Sequence, residues 1–376
     1  MATNVPETMQ GQFLEAFKKP YTLRSVPIPQ PSTPHDLLIK VDAASYCHTD
    51  FVLAEGQMPG FPHAFPHISC HEFAGTIISH FSAPSSQASA FTVGDKVGVP
   101  GRAFHACETC FECQGSKDPV SQDDKGYSVY CAHAENNGIS RDGGFAEYAV
   151  VDARQLAPIP SSMTAVETAP LMCAGITIYA ALKRCQLHPG DRVAIMGAGG
   201  GLGHLGLQYA VKMGLRVLGV DAADEPLKLA ASLNTGARIV DARSEKPTDI
   251  VQQLGAEDGK KDIGEKGVDA VIVLPESQAA FDYSMKLLKT HGRCVVVSFP
   301  EKGFHISAHD VVFRDISILG SLVGSNRMLR EMLNFSAEHN VRAVSKSFPL
   351  SKLNDLVEDY HKGGGGKLVV DMSLQK

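Results

Sequence analysis

The sequence predicts an α/β protein of two units: an all-β, barrel-like unit first, then a doubly wound parallel sheet. Three observations predict it. The 376 residues are far more than one hydrophobic core requires. Roughly the first 170 residues hold short β-like runs separated by Pro, Gly and Ser turns. Beyond about residue 175, strands alternate with helices, a rhythm that implies right-handed crossovers and helices on both faces of a parallel sheet.

In the first unit the runs LLIKVDAAS, EFAGTIIS, KVGVP and FAEYAVV carry the strand signal. In the second, DRVAIMG reads as a buried strand, GGLGHLGLQYAVKMG as a helix, RVLGVD as a strand and EPLKLAASL as a helix. RIVDA, VDAVIVL, GRCVVVS and DISILGSLVG continue the strand series, with SQAAFDYSMKLLK as a helix among them. KGGGGK at 362–367 reads as a turn or flexible segment, and LVVDMS after it as a strand returning to the first unit.

Apolar residues at 44% and charged residues at 20% are those of a soluble globular protein. A net charge of −6 without a Lys/Arg stripe argues against nucleic acid as a partner. No apolar run is long enough to span a membrane, and MATNVPETMQGQF lacks the charged and apolar regions of a signal peptide, so a cytoplasmic protein is expected. Thiols stay reduced there, and nine cysteines, an odd count, read as metal ligands and small buried hydrophobes.

Cys107, Cys110 and Cys113 at C-x2-C-x2-C spacing, closed by Cys131, supply four thiolates for one tetrahedral zinc. Four sulfurs leave no open position, so this zinc is structural. The segment before Cys131, with Lys117, Asp118, Asp123, Asp124 and Lys125, reads as polar and solvated.

MGAGGGLGHLG, 196–206, joins a strand to a helix, where glycines let a pyrophosphate approach the helix N-terminus. Gly197, Gly200 and Gly203 follow one register of the fingerprint, and Gly201, Gly203 and Gly206 a second. Asp221 ends the next strand, where a carboxylate accepts hydrogen bonds from ribose hydroxyls and repels a 2′-phosphate; NAD is therefore expected over NADP. SYCHTDF, SCHEFAG and PLMCAGITIY contribute Cys47, His71 and Cys173, three ligands with one position left open, the layout of a catalytic zinc.

CHTD, HE, the cysteine lobe, LMCAGIT, GGLG and LGVD, in this order and spacing, resemble the zinc-dependent medium-chain alcohol dehydrogenases over nearly the whole chain. CHTD, CAGITIYAAL and GAGGGLG look most like the yeast-type fungal branch. The resemblance implies a GroES-like catalytic domain over 1–174, completed by 325–376, and a Rossmann NAD-binding domain over 175–324. It implies two zinc ions per chain, NAD, an alcohol or aldehyde substrate, and a homotetramer or dimer that binds neither nucleic acid nor membrane. Zinc would act as a Lewis acid on the alcohol while hydride passes to the nicotinamide.

Carried over by position, Cys47, His71 and Cys173 match the catalytic ligands, and Glu72 the acid able to join them. Asp50 would orient His71. Thr49 would hydrogen-bond the substrate hydroxyl. His48 would lie near the coenzyme pyrophosphate, Thr177 against the nicotinamide, and Lys367 on the phosphates. Cys70 replaces a usual glycine and adds a rival thiol, His80 replaces a small residue, and Val52 stands where many members end their proton relay with histidine. A zinc-free enoyl or quinone reductase would lose the ligands; a zinc and nucleotide binder without activity would keep them.

DISILGSLVG, 315–324, resembles the edge strand through which members pair. The yeast-type pocket is narrowed by tryptophans, and this chain has none, with Ala54, Met58 and Arg102 near the corresponding places. A primary alcohol or aldehyde larger than ethanol is therefore expected, aromatic or a secondary-metabolite intermediate, with Arg102 at the rim as either a polar handle or a surface charge.

Overall fold

The computed structural model describes residues 5–115 and 123–374. The chain divides into two compact units, one of Met1–Ile176, Ser325–Lys362 and Lys367–Lys376, the other of Thr177–Gly324 and Gly363–Gly366.

The first unit begins with an antiparallel pair, β1 (Thr8–Phe13) and β2 (Thr22–Pro27). Its main strands are β3 (Asp36–Tyr46), β4 (Phe73–His80), β5 (Lys96–Val99), β6 (Tyr148–Asp152) and β7 (Ala157–Pro158). Helix α1 (His48–Ala54) follows β3 directly. After a 3₁₀ turn at Ala169–Met172, helix α2 (Ala174–Arg184) begins.

The second unit holds β8 (Arg192–Met196), β9 (Arg216–Asp221), β10 (Arg238–Asp241), β11 (Val268–Val273), β12 (Leu288–Val296) and β13 (Ser317–Gly320). They form one sheet in the order β10-β9-β8-β11-β12-β13, every neighbouring pair parallel. Crossover helices include α3 (Gly203–Lys212), α4 (Asp224–Ser232) and α5 (Gln278–Leu287). The strand order reverses between β8 and β11, so the turn after β8 opens at the switch point where such sheets take their ligands. Met196, Leu218, Val220, Val271 and Val273 form its core with Phe281 and Leu287 of α5.

The chain then completes the first unit with α6 (Asn326–His339), β14 (Ser345–Phe348), α7 (Leu353–Tyr360) and β15 (Lys367–Asp371). The sheet order there is β14-β15-β3-β4-β5-β7. One edge of β3 pairs with β6 over Asp36–Lys40 and with β15 over Ala43–Tyr46. This returning strand carries Lys367 beside Tyr46 and the start of α1. Leu37, Ile39, Val41, Phe73, Ile77, Phe104 and Phe145 form the core beneath it.

Two segments differ from expectation. DISILGSLVG is a strand only at Ser317–Gly320, and Leu322 beyond it is exposed. The glycine run is a tight turn with positive φ at Gly363, Gly365 and Gly366, and Gly366 N donates to Gly199 O at 3.2 Å. Its four glycines therefore group with the second unit rather than with the expected 325–376 completion. No single helix among the described residues is long and apolar enough to cross a membrane.

Candidate active site

The first candidate ligand, Cys47, comes from the β3–α1 junction. Cys47 has extended backbone and caps α1, and Asp50, in the helix's first turn, accepts Cys47 N through Oδ2 at 2.9 Å. Asp50 Oδ1 accepts Cys70 N at 3.0 Å and lies 3.4 Å from His71 Nδ1. One carboxylate, 1% exposed, thus ties the Cys47 and His71 segments together. An Nδ1–H turned to Asp50 leaves the Nε2 lone pair for a ligand. Both ring nitrogens are buried without a hydrogen bond among the described residues, so Asp50 faces Nδ1 as a charge 3.4 Å away and Nε2 is free for a ligand.

Two glycines seat the other ligand segments. Met172 packs over Gly98, where a Cβ would lie 2.3 Å from its sulfur, and this fixes Cys173 at the end of the 3₁₀ turn. Gly101, at φ +66, lies against His71, where a Cβ would come within 2.5 Å of the His71 carbonyl oxygen. Neither glycine stands out in the sequence, because their need for a missing side chain arises from distant neighbours.

The donor atoms of Cys47, His71 and Cys173 all lie within 4.8 Å of one another. Two thiols and an imidazole converging on a buried point fit a tetrahedral zinc with one position open. Their hydrogen bond pulls the Cys47 thiol well below the usual range and pushes that of Cys173 above it, favouring Cys47 as the first thiolate.

Glu72 stands outside that donor set. Its carboxylate is fully buried, one oxygen ion-paired with Lys367 Nζ and the other accepting Ala174 N at 3.3 Å. Burial pushes this carboxyl up to about 7 against the opposing pull of Lys367. Lys367 also donates to Tyr46 O at 2.9 Å and is 5% exposed. The resemblance puts Lys367 on coenzyme phosphates; in this structure its ammonium is paired with Glu72, a partner that 295 positions of sequence separate from it.

Thr49 is half-buried, with its hydroxyl 3.9 Å from Cys47 Sγ. His48 is exposed, and its Nδ1 lies 2.7 Å from Tyr360 Oη, a partner the sequence did not reveal. Val52 is buried in α1. Cys70 does adopt the positive φ of 84 that its usual glycine would take. Its thiol lies 3.4 Å from Ser45 O and Glu72 O, outside the ligand set, so it is not the rival ligand weighed above. His80 Nε2 contacts Phe91 O at 2.9 Å, a local contact at the end of β4.

Cys107, Cys110, Cys113 and Cys131 form the second donor cluster, their sulfurs within 4.8 Å of one another. Cys110 N points to Cys107 Sγ at 3.3 Å, Cys107 N to Cys131 Sγ at 3.4 Å and Cys113 N to Cys110 Sγ at 3.5 Å, contacts that suit thiolates. Of the intervening polar residues, Lys117 and Asp118 lie outside the described residues. Asp124 and Lys125 are exposed, but Asp123 is turned inward, accepting Asn326 N and, at 3.3 Å, Val129 N. The expectation that it is solvated is corrected: two backbone donors draw it in.

In the second unit, the turn after β8 starts at Gly197, whose φ of +77 suits glycine. A Cβ on Gly203 would lie 2.0 Å from Gly197 O, so the helix can start this close only without one. Gly200 and Gly201 form the half-buried tip. Gly199, in neither sequence register, packs against Pro226 O, 1.9 Å from where a Cβ would be. Gly199 N donates to Asp221 Oδ2 at 3.0 Å, so the acid at the end of β9 reaches back to the glycine turn. Thr177 lies in α2, 7% exposed.

Residues 33–161 match the alcohol dehydrogenase GroES-like domain family, and residues 201–338 the zinc-binding dehydrogenase family. An alcohol dehydrogenase of Geobacillus stearothermophilus is 36% identical over 94% of this chain and 97% of its own length. Alcohol dehydrogenase 1 of Emericella nidulans is 32% identical over 98% and 99%. These identities do not single out a fungal branch. The solved alcohol dehydrogenase of Aeropyrum pernix superposes with a TM-score of 0.80 at 29% identity, covering 96% of this chain and 99% of that one. On these matches, and on the fold and donor sets above, the chain belongs to the zinc-binding alcohol dehydrogenase family, with a GroES-like domain and a Rossmann-like parallel sheet.

Proposed function

We propose that this protein is a zinc-dependent oxidoreductase that moves hydride between NAD(H) and an alcohol/aldehyde pair, with two zinc ions per chain. The observation that carries the reading is the buried Cys47, His71 and Cys173 set, whose donors converge within 4.8 Å and leave one tetrahedral position open. A zinc ion held there supplies Lewis acidity that lowers the pKa of an alcohol hydroxyl. Asp50 holds His71 in the ligating tautomer, and Lys367 keeps the Glu72 carboxylate engaged away from the donor set. Thr49, beside Cys47, is placed to accept the proton of the substrate hydroxyl, with His48 as its neighbour on α1. His48 toward the pyrophosphate and Thr177 toward the nicotinamide complete the assignment.

Gly197, Gly200, Gly201 and Gly203 shape the pyrophosphate turn, and Asp221 selects NAD by accepting hydrogen bonds from the ribose diol. The half-buried Ala54 and Met58, in a chain without tryptophan, support a substrate larger than ethanol, since an apolar pocket gains roughly 25 cal/mol per Å2 of substrate surface buried. The exposed end of the sheet at β13 supports a homodimer or homotetramer in which that edge is covered.

NAD-linked kcat/KM for ethanol, hexanol, benzyl alcohol and cinnamyl alcohol tests the proposal. Turnover that rises with substrate size is expected, and Ala54→Trp should penalise the larger alcohols selectively. Preference for ethanol would overturn the pocket argument, and no turnover on any alcohol would overturn the enzyme.

A further inference from the structure

Ala222, Ala223 and Asp224, the residues that follow Asp221, include no cation, yet the fold brings one beside them. β10 pairs with β9 so that Asp241 stands opposite Asp221, and Ala242 N donates to Asp221 O at 2.9 Å. Arg243 is the next residue along the chain. In the sheet order β10-β9-β8, Asp221 therefore has the glycine turn on one side, through Gly199 N at 3.0 Å, and the Arg243 segment on the other.

The guanidinium of Arg243 is already engaged. Its Nε donates to Asp241 Oδ1 and Oδ2 at 2.9 and 3.2 Å, and its Nη2 donates to Asp241 Oδ2 at 2.8 Å. Nη2 also donates to Asp224 Oδ1 at 2.6 Å, in the first turn of α4. Arg243 N donates to Asp241 Oδ1 at 2.9 Å, which fixes the backbone that carries the side chain. Asp221, Asp224 and Asp241 thus set three carboxylates against one guanidinium, and the group keeps an excess of negative charge. Lys228, the cation of α4 itself, is paired with Glu225 at 2.6 Å. A guanidinium fork fits a phosphate as it fits a carboxylate, so the two acids and a phosphate compete for the same donors. Arg243 and Asp224 are exposed, where a single ion pair is weak. The barrier to a phosphate lies in the summed charge and in the prior engagement of the fork.

We infer that Asp224 and Asp241 are specificity-determining residues for the coenzyme: with Asp221 they exclude a 2′-phosphorylated adenosine by keeping Arg243, the donor such a phosphate needs, in an internal fork. The inference rests on the proposed NAD reading and adds to it a second barrier, one that survives when Asp221 is replaced. A phosphate on the ribose that Asp221 accepts lies beside the residues following β9 and β10, where the charge is negative and the arginine is taken. The arrangement acts on coenzyme binding and leaves the hydride step untouched.

The test is fluorescence titration of the zinc-loaded, full-length protein with NADH and with NADPH, which reads binding without turnover. Wild type should bind NADH the more tightly. Asp221→Gly should narrow the gap, and adding Asp224→Asn should shift the ratio toward NADPH by a further factor of roughly three to ten, as a charge-assisted donor leaves an exposed pair for the phosphate. Asp241→Asn in place of Asp224→Asn releases the same fork and should move the ratio in the same direction. Adding Arg243→Leu to either double variant should cancel the further gain, and Arg243→Lys, which keeps the charge without the fork, should retain part of it. If neither acid substitution moves the ratio, or if the gain survives Arg243→Leu, the inference is overturned. Equal losses of NADH and NADPH affinity on Arg243→Leu, with a lowered melting temperature, overturn it in favour of an arginine that serves only the fold. Where wild type prefers NADH and the double variants gain nothing, this inference alone fails; where wild type prefers NADPH or binds neither coenzyme, the NAD reading fails with it.

Discussion

Replacing Lys367 by methionine separates two roles that one side chain can have. The sequence resemblance places this residue on coenzyme phosphates, whereas the structure commits its ammonium to Glu72 and Tyr46 O. In the variant, Glu72 remains fully buried with Ala174 N as its only other hydrogen-bond partner among the described residues. Such a carboxylate either stays charged, at about 3–5 kcal/mol for a broken buried pair, or takes up a proton. Relative to wild type, whose carboxyl already lies at about 7, proton uptake in the variant costs about 1.4 kcal/mol for each pH unit above that, or about 2.7 kcal/mol at pH 9, which caps the charged alternative and sets the measurement at pH 9. A loss of about 3 kcal/mol corresponds to about 6–12 °C in the melting transition of a unit of roughly 200 residues. Calorimetry of zinc-loaded wild-type, Lys367→Met, Glu72→Gln and double variants measures it. The double variant should recover most of the loss, since no unpaired charge is left. A Lys367→Met transition within about 2 °C of wild type, combined with weakened NAD binding, would refute the buried-pair role and restore the phosphate role.

Cys110→Ser should remove one zinc per chain and lower the melting temperature, because a structural zinc contributes directly to folding; unchanged metal content would contradict the lobe assignment. Asp221→Gly should weaken NAD binding and improve NADP use, read as the ratio of the two kcat/KM values, and a wild-type preference for NADPH would contradict that reading. Burial raises the Asp123 carboxyl to about 6 from 3.8 despite backbone donors that lower it. A folded-state pKa above the unfolded one gives stability that is full below about 4 and lost as pH rises through about 6, here by up to about 3 kcal/mol. Asp123→Asn should remove this contribution, so urea unfolding of the two proteins at pH 4.5 and 7.5 should show the variant gaining relative to wild type at the higher pH.

Much of the architecture is legible in the sequence because it depends on short-range pattern. The buried run in DRVAIMG, the glycines at 197–203 and Asp221 at the next strand end define one local unit, and the structure brings them together as β8, turn, α3 and β9. The cysteine spacings work in the same way, since four thiols close in a loop need little besides a metal to account for them. What stayed hidden depends on contacts between distant segments. Lys367 meets Glu72 only because β15 pairs with β3. Cys70 accepts a positive φ because its carbonyl is hemmed in by Gly138 and Gly143, where a Cβ would come within 2.1 Å and 2.0 Å of it. Gly199 is required by Pro226, on the following helix, and no fingerprint register contains it. The hydrogen bonds of Arg102 to Val129 and Gln155 likewise join segments far apart in sequence.

The central claim is that zinc held by Cys47, His71 and Cys173 makes this chain an NAD-dependent alcohol oxidoreductase. The most direct measurement is NADH formation from 1-hexanol by one preparation followed through metal removal and zinc return, with metal content determined at each stage. The account predicts two zinc ions per chain at the start, turnover that falls away as the first is withdrawn, and recovery when zinc is restored. Turnover that persists in metal-free protein, or its absence in protein holding both ions, would contradict it.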